Sequence, residues 1–514
     1  MNTKKIIAYL SKTRWCDFKE NIEKDEIKNL QLTALPFDNN QKAFVVGTVN
    51  FTDDRPQKFF SMPLSIKKEA PEDDRNFISD DKGNYYTDAL LEPDFWSSFT
   101  KLLKEHNGKI TFPNGFTLES ATIGKDDMFL ELPSETSKPL GVEQSNTTLK
   151  VGNSKVAFKL ERMLDFSDGI NSEFEMNEKL MREQGSFMPK TYGGLIWRNK
   201  EGLEASGGIV QEFVKNKGDM WNYLQNILQQ RLEENFKRGT TLTPSANQDI
   251  ITLVTTLSKR TQEMKETLGK EDSAPEFSPE KVSPSFLRQY EKNLSVLLYQ
   301  TKNVIKENVH KLPSDIAHKA EYILNNWEPL TSSFVEAQIS AIKTEQDQGT
   351  LHRVHGDYHL GQVMVTPDDD IKIIDFGGEP ALPMSERKQK YISVRDIAGM
   401  YRSIKGYLGA VAVEEFASRA PTEEIKQERK IWGKKAISPL INNISATFLG
   451  SQKLSDPWLS LEILRKNLYE VKYEVSERPS MAYVPVQGLS DLFASIPPQA
   501  INENTRPNAY GKAK

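Results

Sequence analysis

Cysteine is almost absent from this chain, occurring once, at Cys16. One thiol builds neither an intrachain disulfide nor a cysteine-ligated zinc site, so Cys16 reads as a small apolar side chain beside Trp15. Histidine is scarce too, with six among 514 residues. Long apolar runs are missing: no stretch approaches the roughly 20 residues a membrane helix needs. The opening Met1–Leu10 has two lysines before a short apolar stretch, but Ser11, Lys12 and Arg14 follow at once. With no small-residue cleavage site it reads as an amphipathic helix rather than a signal peptide, and a cytoplasmic location without a membrane partner is expected. Positive charge is not in excess either, with 67 Lys and Arg against 72 Asp and Glu. A dedicated nucleic-acid binder would carry a basic stripe, so no nucleic-acid partner is expected. What is present is the composition of a globular protein, 37% hydrophobic and 27% charged, long enough for two or three compact units.

Residues 1–105 mix helix and strand. Lys42–Phe51 and Phe59–Ile66 read as strands, and the run Phe95, Phe99, Leu102, Leu103 as a helix starting near Pro93. Residues 106–216 are strand-rich, with a hairpin over 147–160 turning at Gly152-Asn153, a helix over Asn171–Glu183 and a buried strand over Gly207–Val214. From residue 217 to 505 helical spacing dominates: Met220–Phe236, Asp249–Leu268, Ser285–Lys306, Ile316–Lys343 and again from Arg395 onward. Residues 506–514 read as a loose tail. Strands, one helix and more strands, followed by a helical part, is the order of a kinase-type fold.

The chemistry gathers in residues 355–379. Phosphoryl transfer needs a carboxylate near the attacking hydroxyl, one or two Mg²⁺ ions and a cation on the nucleotide phosphates. Asp357 lies in the loop His355-Gly-Asp-Tyr-His-Leu-Gly-Gln362, Gln362 follows it by five residues, and Asp375 ends the strand Ile371–Ile374. In kinase-like folds a loop Asp, an amide five residues on and a second Asp after a short hairpin make the base and the metal site. The spacing therefore assigns Asp357 as base and Gln362 and Asp375 as metal ligands. Taken alone, Asp357 would be a turn-capping carboxylate; the agreement of the spacings favours catalysis. His355 and His359, an i, i+4 pair, would also suit a zinc-dependent hydrolase, but they read better as imidazoles that hold the loop. Lys159, in Val156-Ala-Phe-Lys-Leu160, is the candidate for the ATP phosphates, with Glu175 of the next helix orienting it. Glu212-Phe213-Val214 would be the hinge whose backbone receives adenine.

These blocks together resemble the maltokinases, a family within the aminoglycoside-phosphotransferase-like kinases. The resemblance runs through Glu143-Gln-Ser-Asn-Thr-Thr148, Gly169–Glu175, Arg353–Gln362, Asp375-Phe-Gly-Gly-Glu-Pro380, Glu386-Arg387, Arg395–Ser403, Tyr469–Pro479 and Val484–Gly488. It implies an α+β, bilobal protein-kinase-like fold of the aminoglycoside phosphotransferase type, with an added N-terminal α+β cap subdomain and a helical C-terminal lobe. In its terms, residues 1–105 are the cap, 106–216 the nucleotide-binding lobe and 217–505 the catalytic lobe with the sugar site. Ser145, Asn146 and Thr147 would replace a glycine-rich phosphate loop. His359, Glu379, Arg387, Tyr469, Glu470, Tyr473 and Glu474 would contact the sugar. The implied reaction is Mg²⁺-dependent phosphorylation of maltose by ATP, giving maltose 1-phosphate for glycogen or α-glucan synthesis, with trehalose synthase as a functional associate.

The chain departs from the family at Gly377, where the family has Glu; Glu379 is the nearby carboxylate that would compensate. Three other readings stay open: a kinase of similar fold acting on glucosamine or another sugar, the zinc hydrolase, and a sugar-binding pseudokinase motivated by Gly377.

Overall fold

The computed structural model describes residues 3–494, apart from 72–75, 124–131, 133–134, 141–146, 154–155, 346–347 and 381. Ser145, Asn146 and the expected tail over 506–514 lie outside the described residues. The chain divides into two compact units, Met1–Lys215 with Pro380–Arg387, and Asn216–Glu379 with Lys388–Lys514.

In the first unit, α1 (Thr3–Lys12) and α2 (Lys19–Glu23) precede β1 (Ile27–Phe37), β2 (Lys42–Phe51), β3 (Lys58–Lys67), β4 (Ile78–Ser79) and β5 (Tyr85–Asp88). The strands form an antiparallel sheet in the order β1-β2-β3-β5-β4. Successive side chains of a strand point to opposite faces, and β2 is buried on both. Ala43, Val45 and Val49 pack with Ile6, Leu10 and Phe18, while Phe44 and Val46 join Phe95, Phe99 and Phe158. Two-sided burial is why β2 reads as a nearly continuous apolar run. A Cβ on Gly47 would stand 2.1 Å from the Phe60 ring, so this strand position accepts only glycine without repacking.

Helix α3 (Phe95–Glu105) leads into β6 (Lys109–Thr111), β7 (Thr117–Ala121), β8 (Ser137–Pro139), β9 (Thr147–Val151), β10 (Val156–Leu160), β11 (Met163–Leu164), α4 (Ser172–Arg182), β12 (Thr191–Arg198) and β13 (Glu204–Glu212). The second sheet runs β6-β7-β12-β13-β10-β9-β8, and β11 pairs back onto β3 of the first. Phe99 of α3 touches Phe44 of the first sheet (centroids 5.7 Å apart) and Phe158 of the second (6.0 Å). One apolar cluster thus draws on both sheets of the first unit.

The second unit is mostly helical: α5 (Met220–Arg238), α6 (Gln248–Leu268), β14 (Glu280–Lys281), α7 (Pro284–Asn308), α8 (Ser314–Asn325), α9 (Trp327–Thr344), β15 (Thr350–His352), β16 (Val363–Val365) and β17 (Ile371–Ile373). After α10 (Met384–Arg387), which belongs to the first unit, come β18 (Tyr391–Ile392), α11 (Arg395–Arg402), a π-type turn over Ser403–Leu408, α12 (Gly409–Ser418), α13 (Glu423–Leu449), α14 (Pro457–Glu477) and α15 (Tyr483–Ala494). Asp219, Ser283, Thr422 and Asp456 each cap a helix by accepting a hydrogen bond from the N–H three residues on, satisfying a donor that the helix leaves unpaired. Ile316–Lys343, expected as one helix, is two. The chain breaks at Asn326 (φ −115°, ψ 17°), and Pro329 falls in the first turn of α9. Proline has no N–H for a helix interior but is tolerated in a first turn.

Candidate active site

The site is laid out by the hairpin of β16 and β17. Val363 pairs with Ile373, Met364 with Lys372 and Val365 with Ile371, and Val363, Val365, Ile371 and Ile373 are fully buried. One further ladder bond, from Ile374 N–H to Gln362 O (3.0 Å), carries the register past the strands. It sets Gln362 beside Asp375, and Gln362 Nε2 donates to Asp375 Oδ2 at 3.2 Å. With Nε2 used in this way, the amide oxygen of Gln362 and the carboxylate of Asp375 are both hard oxygen donors of the kind Mg²⁺ takes, a metal that completes its shell with phosphate and water. Among the described residues no three His, Cys, Asp or Glu side chains form a metal-holding group. Asp375 adopts a left-handed backbone, φ 64°, uncommon outside glycine though best tolerated by Asp and Asn.

The preceding loop is tied down from behind. Asp396, in the first turn of α11, accepts from the backbone N–H of His355 (2.8 Å) and of Gly356 (2.9 Å). His355 Nε2 donates to Ile374 O at 3.0 Å, and its ring packs 4.8 Å from that of Phe376. His359 Nδ1 accepts from Gly361 N–H at 3.0 Å. Both imidazoles therefore hold loop backbone, as the sequence suggested. Partial burial pushes the pKa of His359 down, against the pull of the Asp357 charge. Tyr358 is buried, its hydroxyl 2.8 Å from that of Thr261 on α6. At Gly356, φ 85°, an added Cβ would lie 3.0 Å from Gly378 Cα. The loops 355–357 and 377–379 thus touch backbone to backbone, which brings Asp357 and Glu379 into one cluster.

At the centre of that cluster stands Lys466, which the sequence reading did not single out. Its Nζ lies 3.7 Å from Asp357 Oδ1 and 3.8 Å from Glu379 Oε1. Asp357 keeps 20% side-chain exposure and Glu379 only 4%. Tyr469 lies one turn along α14, and burial, reinforced by the Glu379 charge, raises its pKa so that the phenol stays protonated. Glu379 Oε1 is buried without a hydrogen-bond partner. His359 Nε2 approaches Asp357 Oδ2 at 3.9 Å. The arrangement offers a partly exposed carboxylate that can accept a proton, next to a buried carboxylate oxygen that can accept a hydrogen bond.

The other residues nominated for the sugar have contacts of their own. Glu470 is buried, with Oε2 accepting from both Nε (2.9 Å) and Nη2 (2.6 Å) of Arg402. Glu474 takes Arg478 Nη2 at 2.7 Å and the Tyr407 hydroxyl at 3.3 Å, and burial raises its pKa. Tyr473 is 43% exposed, with the Arg478 guanidinium 4.9 Å from its ring centroid. Arg387, in the first unit, donates to backbone carbonyls of its own segment, Leu382 O (2.8 Å) and Pro380 O (2.6 Å).

In the first unit, Lys159 on β10 meets a carboxylate of α4, as expected, and Glu173 Oε2 is the oxygen found 2.7 Å from its Nζ. Glu173 is buried and lies two residues before the expected Glu175; both sit in the first turn of the helix. That turn is capped by Asn171, whose Oδ1 accepts from Phe174 N–H at 2.9 Å. Thr147 opens β9, its hydroxyl 3.2 Å from Nη2 of the buried Arg162. Glu212 ends β13, two residues short of the expected strand end at Val214, and its N–H donates to Lys190 O at 2.7 Å.

A two-sheet unit carrying the Lys159–Glu173 ion pair, and a helical unit with a carboxylate loop and an amide–carboxylate hairpin, make an α+β kinase-like fold. The chain is similar in structure to a glucosamine kinase solved in complex with glucosamine, ADP and inorganic phosphate, at TM-score 0.55 and 18% identity, covering 91% of this chain and 94% of that one. A glucosamine kinase in crystal form B gives TM-score 0.56 at 18% identity, covering 92% and 95%. At that identity the likeness is one of fold. In sequence, 173 residues are 28% identical to the glucosamine kinase of Streptacidiphilus jiangxiensis, spanning 33% of this chain and 37% of that relative. No family model matches the chain.

Proposed function

We propose that the protein transfers the γ-phosphoryl group of ATP to a hydroxyl of a sugar, with an amino sugar of the glucosamine type as the favoured acceptor. The observation that carries this reading is the approach of both Asp357 and Glu379 to Lys466, with Glu379 Oε1 buried and making no hydrogen bond. A buried acceptor with no donor suits a hydroxyl or an ammonium of a polar ligand. The similarity to glucosamine kinases supports the same class of acceptor.

In this mechanism Asp357 orients the attacking hydroxyl and takes its proton as the new O–P bond forms and the bond from the γ-phosphorus to the ADP oxygen breaks. Gln362 and Asp375 would hold Mg²⁺, which neutralises charge on the phosphate oxygens. Lys159, oriented by Glu173, would bind the nucleotide phosphates, and Glu212–Val214 would receive adenine. Base catalysis of this kind contributes about 10²–10⁴-fold, with positioning and electrostatics supplying the rest.

A second reading keeps maltose as acceptor, giving maltose 1-phosphate and a functional association with trehalose synthase. It is favoured by Tyr469 and Tyr473, one turn apart on α14, the latter exposed enough to stack on a second sugar ring. Glucosamine, maltose and glucose supplied together at equal concentration with Mg²⁺-ATP separate the two. Phosphorylated glucosamine as the main product is the expected result, and maltose 1-phosphate as the main product would move the assignment to the second reading. ADP release that no sugar stimulates would remove both.

A further inference from the structure

The second unit contains a cleft that the proposed reaction does not use. It measures ≈ 1070 Å³ and opens between α8, the π-type turn, α13 and α15. Asp357, Gln362, Asp375 and Glu379 are not among its walls. Its size is at the upper end of small-molecule sites, and its charge is unbalanced: Lys319, Arg402, Lys405, Lys430 and Lys434 line it against only Glu414 and Asp491.

The pairing of those charges sharpens the point. Lys430 is matched by Glu414 at 2.8 Å, and Arg402 is matched by Glu470 through Nε and Nη2. Lys319 and Lys405 are different. Their ammonium groups donate to neutral amide oxygens, Lys319 to Gln487 Oε1 and Lys405 to Asn442 Oδ1, and among the described residues neither meets a carboxylate. Asp491, the remaining acid of the wall, accepts from Gln487 Nε2 at 2.6 Å. Two cations held on the walls of one cleft by carboxamides keep their full charge for a ligand. Lys405 also lies in the π-type turn, a helix form frequent at functional sites.

We infer that this cleft is a second ligand site, for a phosphorylated sugar. The lysines supply charge-assisted donors for the phosphate, and the carboxamides and serines around them suit a hydroxyl-rich body. Helix α14 carries both sites: Ser460 and Ile463 face the cleft, while Lys466 reaches Asp357.

Calorimetric titration of the full chain with glucose 6-phosphate, and separately with inorganic phosphate and glucose, tests this without reference to turnover. Saturable binding of glucose 6-phosphate, tighter than that of either fragment, is expected. The double variant Lys319→Ala/Lys405→Ala should weaken it about tenfold or more. Ser438→Trp, which places an indole in the cleft, should block it. Both variants alter exposed positions and should keep the thermal midpoint and the basal phosphoryl transfer of the parent. Absence of binding, equal affinity for inorganic phosphate, or undiminished binding by the variants would each overturn the site. Because the readout is binding, that result would leave the kinase reading standing.

Discussion

Lys466 is the side chain on which the candidate site turns. Its ammonium stands within 4 Å of Asp357 and Glu379, two carboxylates that backbone contact between Gly356 and Gly378 forces together. Without it, two negative charges would face each other at a half-closed surface, which disfavours the charged form of both. Lys466→Met should lower kcat/KM for the sugar about 10–100-fold, through KM as well as kcat, with the KM for ATP near that of the parent. Steady-state kinetics with each substrate varied would measure it, and an unchanged kcat/KM would remove Lys466 from the site. This residue was not legible in the sequence because it lies more than a hundred positions from Asp357, in a helix where the Tyr and Glu residues, not Lys466, drew the sugar assignment. Of the nominated quartet Tyr469, Glu470, Tyr473 and Glu474, Glu470 is held by Arg402 and Glu474 by Arg478. Residues three and four apart share one helix face, and that spacing does not show which of them a neighbouring helix claims, as Arg402 of α11 claims Glu470.

At the scale of elements, the β16–β17 hairpin sets Gln362 beside Asp375, and α6 holds its turn. Arg260 of α6 grips Asp370 through Nε to Oδ1 (3.0 Å) and through a second, shorter bond from Nη2 to Oδ2. These hydrogen bonds hold the Asp370 carboxyl below its ordinary pKa. A depressed folded-state value means that the clamp contributes fully above the ordinary carboxylate range and is lost as pH falls through the lowered value. Asp370→Asn should therefore lower the thermal midpoint at neutral pH by about 1–3 °C, a small effect for a partly exposed pair. The gap from the parent should close in acid. A gap that persists unchanged in acid would show that the charge of Asp370 is not what holds the turn. The hairpin itself was legible because its information is local: two short apolar strands, a turn of acidic residues, and the five-residue step from Asp357 to Gln362. The sheet of β14, β15 and β18 was not, since its strands have two or three residues each and show no period. The break between α8 and α9 was written in Pro329 but masked by the apolar spacing that continues on both sides of it.

Across the whole molecule, the fold class was readable from element order, because a strand-rich first part and a helical second part need no long-range pairing to be recognised. The sharing of one apolar cluster by both sheets of the first unit was not, since Phe44, Phe99 and Phe158 come together only on folding. If Gln362 and Asp375 hold the metal of a bound nucleotide, ligand binding should stabilise the folded chain. Mg²⁺-ATP at about 100 times its dissociation constant contributes roughly 2.7 kcal/mol, a rise of several degrees in thermal midpoint. Asp375→Ala should lose the Mg²⁺-dependent part of that rise, and retention of the full rise would place the metal elsewhere. The most direct test of the account is phosphoryl transfer from Mg²⁺-ATP to sugar, followed by detection of the phosphorylated product, for the parent and for Asp357→Asn side by side. The account predicts a sugar phosphate from the parent, a loss of about 10²–10⁴-fold in the variant and nearly unchanged ATP binding; near-normal turnover by Asp357→Asn would contradict it.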